Sequence, residues 1–437
     1  MGNPIEPSAT MDGDRSPADF PAPLKRTSDP DLTHTGNDLS PAKTAGKSPL
    51  HVLTLTPFFP SHGDEVSGCF IAESTRQLQR LGMISRIIAV TPIHHARKQP
   101  DPSAPARWVR YPQIPGNLGL SNAGRWLYAR LLAEVPRIHR ERPIDVIHAH
   151  SALPCGHAAA LLSRHLNVPF VVTLHGLDVF NTCFLGGAPV QWRRRASIDV
   201  YLAAHMAICI SEKVQCFLRE GMPEEAPSAV VYNGTDTDLF SPAPSAAYAQ
   251  HEQEILIVGN LIAPKGHELV LRAIRKIEAS FPQLRCRIVG EGPDRARFEA
   301  LARELGIARR VQFEGRKSRA EVADAMRACS VFVLPSRYEG LGCVYLEAMA
   351  CGKPVIACRG QGIDEIVQHG KNGWLIPVDG LDELAQGLST LLRSPDLRSS
   401  LGASARETVL NGLTLSDQAR RLAQIYGDAI RGASQPL

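Results

Sequence analysis

The residues most suited to chemistry crowd into one string, Pro335-Ser336-Arg337-Tyr338-Glu339-Gly340-Leu341-Gly342-Cys343-Val344-Tyr345-Leu346-Glu347-Ala348-Met349-Ala350. It follows an apolar run, 331–334, that reads as a buried strand. A turn containing Gly340 comes next, and a helix is predicted to begin near Gly342. A helix start carries unpaired backbone N–H groups and the positive end of the helix dipole. Both favour an anion such as a phosphate. Leu341 and Cys343 flank the turn glycine and belong to the same anion loop. Glu339 lies just before the loop, and Glu347 lies inside the helix. Two carboxylates so placed suit hydroxyls at two parts of one ligand, such as a sugar and a ribose.

Lys265 stands beside Gly266 in Val258-Gly259-Asn260-Leu261-Ile262-Ala263-Pro264-Lys265-Gly266, another strand-to-helix loop. It is a compact positive charge positioned for phosphate. Gly290-Glu291-Gly292-Pro293 also follows a predicted strand, although Gly-x-Gly alone says no more than a turn. In the first half, Val171-Val172-Thr173-Leu174-His175-Gly176-Leu177-Asp178 is a strand ending in a histidine. His175 is a suitable hydrogen-bond donor to an anion, and Asp178 caps or orients its loop. Ile147-His148-Ala149-His150 offers two zinc-type ligands at a strand end, but the sequence supplies no third. Ser211 reads as a helix N-cap. Gly68 closes a loop after the first strand and precedes a helix.

These residues need strands and helices in alternation to hold them. Runs at 51–56, 86–90, 144–148, 170–174, 206–210 and 229–232 read as strands, with helical segments between them. One long helix is predicted from about residue 122 to 141, because Leu127, Leu131, Val135 and Ile138 share a face. The stretch between 90 and 122 reads as a loop rich in Pro and Arg. A polar segment with Pro242 and Pro244 separates this half from a second alternation that starts at Glu254. Two such runs imply two Rossmann-like domains with parallel sheets, and a ligand cleft at the carboxyl ends of the strands. The expected organisation is a tail over 1–48 with no apolar periodicity, domains over 49–240 and 241–415, and a helix over 416–437 that returns to the first domain.

Composition removes several classes. The 437 residues carry 48 Lys and Arg against 44 Asp and Glu, a formal charge of +4. That balance argues against a nucleic-acid partner. Hydrophobic residues are 44% and charged residues 21%, ordinary for globular proteins. The ten cysteines form no C-x-x-C pair and lie mostly in apolar runs, so they are expected as reduced thiols. The opening residues lack a basic and apolar leader, and no apolar run approaches the ~18 residues of a spanning helix. A cytoplasmic protein is expected. Charge is uneven, however. Residues 76–142 contain twelve Lys and Arg and three Asp and Glu, a local +9, with Trp108, Tyr111, Trp126 and Tyr128 interleaved. A solvated face and a peripheral contact with an anionic membrane both fit this stretch.

Glu339 and Glu347 form an E-x7-E motif, with Gly340, Gly342, Ala348, Met349 and Ala350 around it. The string resembles a retaining glycosyltransferase of family 4, with a GT-B fold. The likeness runs from about residue 50 to the C-terminus and is strongest over 230–380. The resemblance implies a nucleoside diphosphate sugar as donor and a glycan or lipid-linked acceptor. It gives Lys265 to the donor diphosphate, Glu339 to the sugar, Glu347 to the ribose, Glu291 and Gly292 to the base, and His175 to the donor from across the cleft. It makes Gly68 part of an acceptor or phosphate loop. Asn260 stands where the family usually has arginine; it can hydrogen-bond a phosphate but cannot neutralise it. Asp236-Thr237-Asp238 matches the metal-binding D-x-D of a different glycosyltransferase fold, but lies in the turn that ends the acceptor domain here. No metal and no other cofactor is expected. Three rivals remain: a sugar-nucleotide epimerase of the same fold, a non-catalytic membrane-associated binding protein, and a dinucleotide oxidoreductase. The last lacks its G-x-G-x-x-G fingerprint.

Overall fold

Residues 51–56 are all buried, as a central parallel strand covered on both faces must be, with Val52, Leu53 and Leu55 among them wholly buried. They form β1 (His51–Thr56) in a computed structural model that describes residues 49–102, 105–114, 119–176, 178–179, 188–243 and 253–433. The predicted tail and Cys183 lie outside the described residues. After β1 come α1 (Cys69–Arg80), β2 (Ile84–Pro92), β3 (Arg107–Tyr111), α2 (Leu120–Leu131), α3 (Val135–Glu141), β4 (Val146–His150), α4 (His157–Leu166) and β5 (Phe170–Leu174). The half closes with α5 (Ala188–Ala203), β6 (Met206–Cys209), α6 (Glu212–Gly221) and β7 (Ser228–Val230). The strands build one parallel sheet in the order β3-β2-β1-β4-β5-β6-β7.

The second half repeats the plan. Its elements are β8 (Glu254–Val258), α7 (His267–Ile277), β9 (Arg285–Val289), α8 (Arg295–Glu304), β10 (Val311–Gly315), α9 (Arg319–Ala328) and β11 (Val331–Val333). Then follow α10 (Cys343–Ala350), β12 (Val355–Cys358), β13 (Trp374–Ile376), α11 (Leu381–Arg393), α12 (Pro395–Leu410) and α13 (Leu415–Ala433). The strand order is β10-β9-β8-β11-β12-β13, again parallel. Each sheet reverses its winding beside its first strand, at β1/β4 and at β8/β11. Those switch points open the crevices where α/β sheets bind ligands. The expected pair of Rossmann-like domains is therefore present.

The last helix crosses back. Ala419, Leu422, Ile425, Tyr426 and Ala429 of α13 pack on Val52, Val146, Val171, Ile208 and Val231 of the first sheet.

Two expectations fail locally. The single helix over 122–141 is two helices, α2 and α3. Pro136 sits in the first turn of α3, where its missing N–H does no harm, and that position cannot be helix interior. The apolar face survives the break, since Leu127, Leu131, Val135 and Ile138 are all buried. The supposed loop between 90 and 122 contains β3, which pairs with β2 and, among the described residues, with no other strand. Val109 and Tyr111 point inward and Arg110 does not, so the strand alternates over too few residues to stand out.

Candidate functional site

Lys265 and Glu339 meet on the second domain. The lysine ends a short 3-10 turn, and Gly266 behind it adopts φ 76°, which fits glycine. A Cβ on Gly266 would lie 2.2 Å from the Pro335 carbonyl, so the lysine loop and the string after β11 touch backbone to backbone. This contact sets Lys265 Nζ 2.6 Å from Glu339 Oε2, with both side chains largely buried. The Glu339 N–H donates to Gln361 Oε1 at 3.0 Å, and the Glu339 carbonyl accepts from Gly362 N at 3.0 Å.

Gly340, Leu341 and Gly342 carry the chain from Glu339 into α10. Gly342 is left-handed, with φ 83°, and a Cβ there would strike the Tyr345 ring at 2.6 Å. This left-handed bend, which glycine adopts freely, leads into the start of α10 at Cys343, where the first-turn N–H groups suit an anion. Cys343 is half-buried, and its thiol is pushed up to about 12 by burial, so it stays protonated. Its sulfur accepts from Asn233 Nδ2 at 3.5 Å. Glu347 is buried one layer deeper.

The first domain presses its strand ends against this loop. A Cβ on Gly340 would lie 3.0 Å from the His175 carbonyl, and one on Gly176 would lie 2.9 Å from the Tyr338 hydroxyl. Ser211 caps α6 as expected, accepting from Val214 N at 3.2 Å, and its hydroxyl also donates to the Gly340 carbonyl at 2.6 Å. The Glu365 carboxylate of the second domain accepts from Glu212 N and Lys213 N of α6 at 2.8 and 2.7 Å. Burial pushes that carboxyl up to about 7 and holds Lys213 down at about 8. Lys213 Nζ donates to Gln361 Oε1 at 3.0 Å, the same oxygen that receives Glu339 N.

His175 belongs to a stack of three imidazoles. A His175 ring nitrogen lies 3.1 Å from His150 Nδ1, the rings being parallel within 18°. His148 lies beside His150 at 4.4 Å between centroids. Burial holds His175 at about 4 and His148 at about 3, so both are neutral at ordinary pH. Asp178 Oδ1 accepts from the backbone of His175 and Val179 at 3.0 and 3.1 Å, and so orients the loop. The two nitrogens of His148 are engaged by Tyr426 and Thr173. Among the described residues no group of three or more His, Cys, Asp or Glu is arranged for a metal. Asp236 Oδ1 accepts from Asp238 N and Leu239 N at 3.1 Å each, which makes the D-x-D a turn.

The remaining predicted residues sit around this centre. Asn260 is exposed at the mouth of the Lys265 loop. Gly292 packs on the Leu261 backbone, where a Cβ would lie 2.3 Å from the carbonyl oxygen. Glu291 beside it is exposed and pairs with Arg295 at 2.6 Å. Gly68 has φ 73°, and its Cβ would lie 2.5 Å from the Phe58 carbonyl carbon. Loop packing alone demands glycine there.

Sequence reasoning missed Arg319. Its guanidinium joins Glu73 of α1 to Glu347 of α10, with distances of 2.8 and 3.1 Å to the two Glu73 oxygens. Burial opposes its charge, but Glu347 and Glu73 outweigh that and hold the arginine firmly protonated. Glu73 is shifted up, by burial first, with Arg319 pulling the other way. A signal was present: a basic residue in the first turn of a helix opposes the dipole, so something else must favour it.

Both halves of the chain match known glycosyltransferase families. Residues 70–239 match the model of Glycosyltransferase Family 4, and residues 245–408 match Glycosyl transferases group 1. An uncharacterized glycosyltransferase of Methanocaldococcus jannaschii is 33% identical over 60% of this chain and 70% of its own length. The D-inositol 3-phosphate glycosyltransferase of Thermobispora bispora is 33% identical over 65% of this chain and 71% of its own. Anabaena HepE, solved with UDP-glucose, shares the fold with a TM-score of 0.67 at 21% identity, covering 87% of this chain and 100% of that one. The chain belongs to the family 4 glycosyltransferases, with their GT-B fold.

Proposed function

We propose that this glycosyltransferase is a retaining, metal-independent enzyme. It moves a hexose from a nucleoside diphosphate sugar to a glycan or lipid-linked acceptor, in building a surface or exported polysaccharide or a glycolipid. The observation that carries the reading is the cleft constellation: Lys265 against Glu339, the start of α10 above them, and His175 facing that loop from the other domain. A nucleoside diphosphate is a good leaving group. Its departure needs stabilised negative charge more than a strong acid, and a lysine with a helix N-terminus supplies that. Glu339 accepts hydrogen bonds from the sugar, Glu347 from the ribose, and neutral His175 donates to the donor. Glu291 and Gly292 lie at the base. Asn260 adds a hydrogen bond without charge, so Lys265 carries more of the neutralisation here than an arginine-assisted lysine would. No side chain serves as the base; the departing phosphate assists attack on the same face.

The names of the relatives support the donor side of this reading: one is a D-inositol 3-phosphate glycosyltransferase, and HepE was solved with UDP-glucose. We place the enzyme in the cytoplasm, peripheral at the inner face of the membrane. Among the described residues no helix is long and apolar enough to cross one.

The test begins with a thermal-shift panel of nucleotide sugars. Release of nucleoside diphosphate is then followed with and without sugar and lipid-linked acceptors. Release that requires an acceptor, with the donor's anomeric configuration kept, is expected. Interconversion of the donor sugar without any acceptor would make the chain an epimerase, and binding without turnover would make it a non-catalytic member.

A further inference from the structure

Arg319 is held by carboxylates from both domains. Its side chain is 17% exposed, that of Glu73 8% and that of Glu347 5%, so the three lie in a nearly dry seam. The guanidinium lies 4.8 Å from the centre of the Phe240 ring, which fixes its plane. Two carboxylates sharing one guanidinium leave a net negative charge. That suits no further anion, but it suits a neutral hydroxyl that donates. Arg319 bonds one oxygen of Glu347, Oε1. A carboxylate without that tether turns about its last side-chain bond and loses its aim.

We propose that Arg319 is a positioning residue that aims Glu347 Oε2 at the ribose hydroxyls of the donor, and that Glu73, from the acceptor domain, holds it in place. The inference rests on the reading of Glu347 as the ribose ligand. It adds that ribose recognition on one domain is completed by a residue of the other. A nucleotide is then read at full strength only while the two domains are together. Arg319 and Glu73 touch no substrate.

The experiment measures binding of UDP, GDP and ADP, and of their 2′,3′-dideoxy forms, by calorimetry. Hydrogen bonds to a charged group predict that the wild type prefers the ribose form by roughly 10- to 100-fold. Glu347→Ala should erase the preference. Arg319→Met, Arg319→Lys and Glu73→Gln should each reduce it at least about threefold, least for the lysine. The dideoxy forms, which never meet Glu347, should bind every variant as they bind the wild type. A merely structural role would weaken both forms alike, and that result would overturn the proposal. If Glu347→Ala erases the preference while the Arg319 and Glu73 variants keep it, the positioning role fails and the ribose assignment stands. If Glu347→Ala itself keeps the preference, the ribose assignment fails and takes the proposal with it. Should Arg319→Met not fold, Arg319→Lys and Glu73→Gln decide the matter.

Discussion

Lys265 and Glu339 have opposite duties toward a sugar nucleotide, yet they are bonded to each other at 2.6 Å. In a largely buried pair, removing one partner strands the other's charge, which costs more than the pair was worth. Lys265→Ala therefore does two kinds of harm. It removes the cation from the diphosphate, and it leaves Glu339 unpaired and more repellent to that diphosphate. Glu339→Ala frees the lysine but removes the sugar's acceptor. Loss of one electrostatic donor in a site typically lowers turnover by roughly 10²- to 10³-fold, and that is the expectation for Lys265→Ala. The double variant should lose less than the two single losses combined, because it strands no Glu339 charge. Steady-state kinetics on the four proteins checks this. Fully additive losses would mean that the two side chains act independently.

At the scale of elements, the histidine stack joins β4, β5 and the return helix. His148 Nδ1 lies 2.7 Å from the Tyr426 hydroxyl of α13, and His148 Nε2 lies 2.7 Å from Thr173 Oγ1 of β5. Its pKa of about 3, set by burial first and then by His175, lies below the ordinary ~6.5. Between those values the unfolded chain binds the proton and the folded chain does not, so stability falls as pH falls. The slope is about 1.4 kcal/mol per pH unit below ~6.5. Urea unfolding at pH 7 and pH 5 should show the wild type losing about 2 kcal/mol more than His148→Gln; equal losses would mean that His148 takes up its proton without unfolding. Much of this architecture is legible in the sequence. The parallel strands announce themselves as short apolar runs; His175 directly follows one, and Lys265 and Glu339 stand in the loops that follow two others. The break at Pro136 and the short alternation of β3 were obscured by periodicity that continues across the one and barely begins in the other. Arg319 carried a faint signal in its place at a helix start, but its pairing with Glu73 was out of reach for a different reason. The two residues stand 246 positions apart, and only the crossing of two domains makes them neighbours.

For the whole molecule, the formal charge of +4 hides a stretch of +9 over 76–142. Folding uses part of it: Arg107 pairs with Glu134 at 3.3 Å, Arg137 with Glu141 at 3.7 Å, and Arg142 donates to the Pro49 carbonyl. These exposed pairs are each weak and leave the positive field largely standing. Tyr111 is withdrawn into the core at 2% exposure, so it is no interfacial aromatic. Ile93, Ile114 and Leu132 are exposed, and Trp192, outside the stretch, is 66% exposed beside Arg193, Arg194 and Arg195. Apolar tips set among arginines are what a peripheral contact with anionic lipid requires. We therefore expect the protein to cosediment with phosphatidylserine-containing vesicles and not with phosphatidylcholine alone. Raising salt from about 0.1 M to about 1 M shortens the screening length from about 10 Å to about 3 Å, so the binding should largely disappear. Arg125 and Arg130 project from α2 into solvent. At about 1 kcal/mol for each basic residue near the surface, Arg125→Gln with Arg130→Gln should weaken binding roughly 30-fold. Transfer to a soluble acceptor should be unaffected, since neither arginine touches the cleft constellation. Vesicle binding that ignores salt, or that survives loss of both arginines undiminished, would leave the basic face as a solvated surface with no role at the membrane.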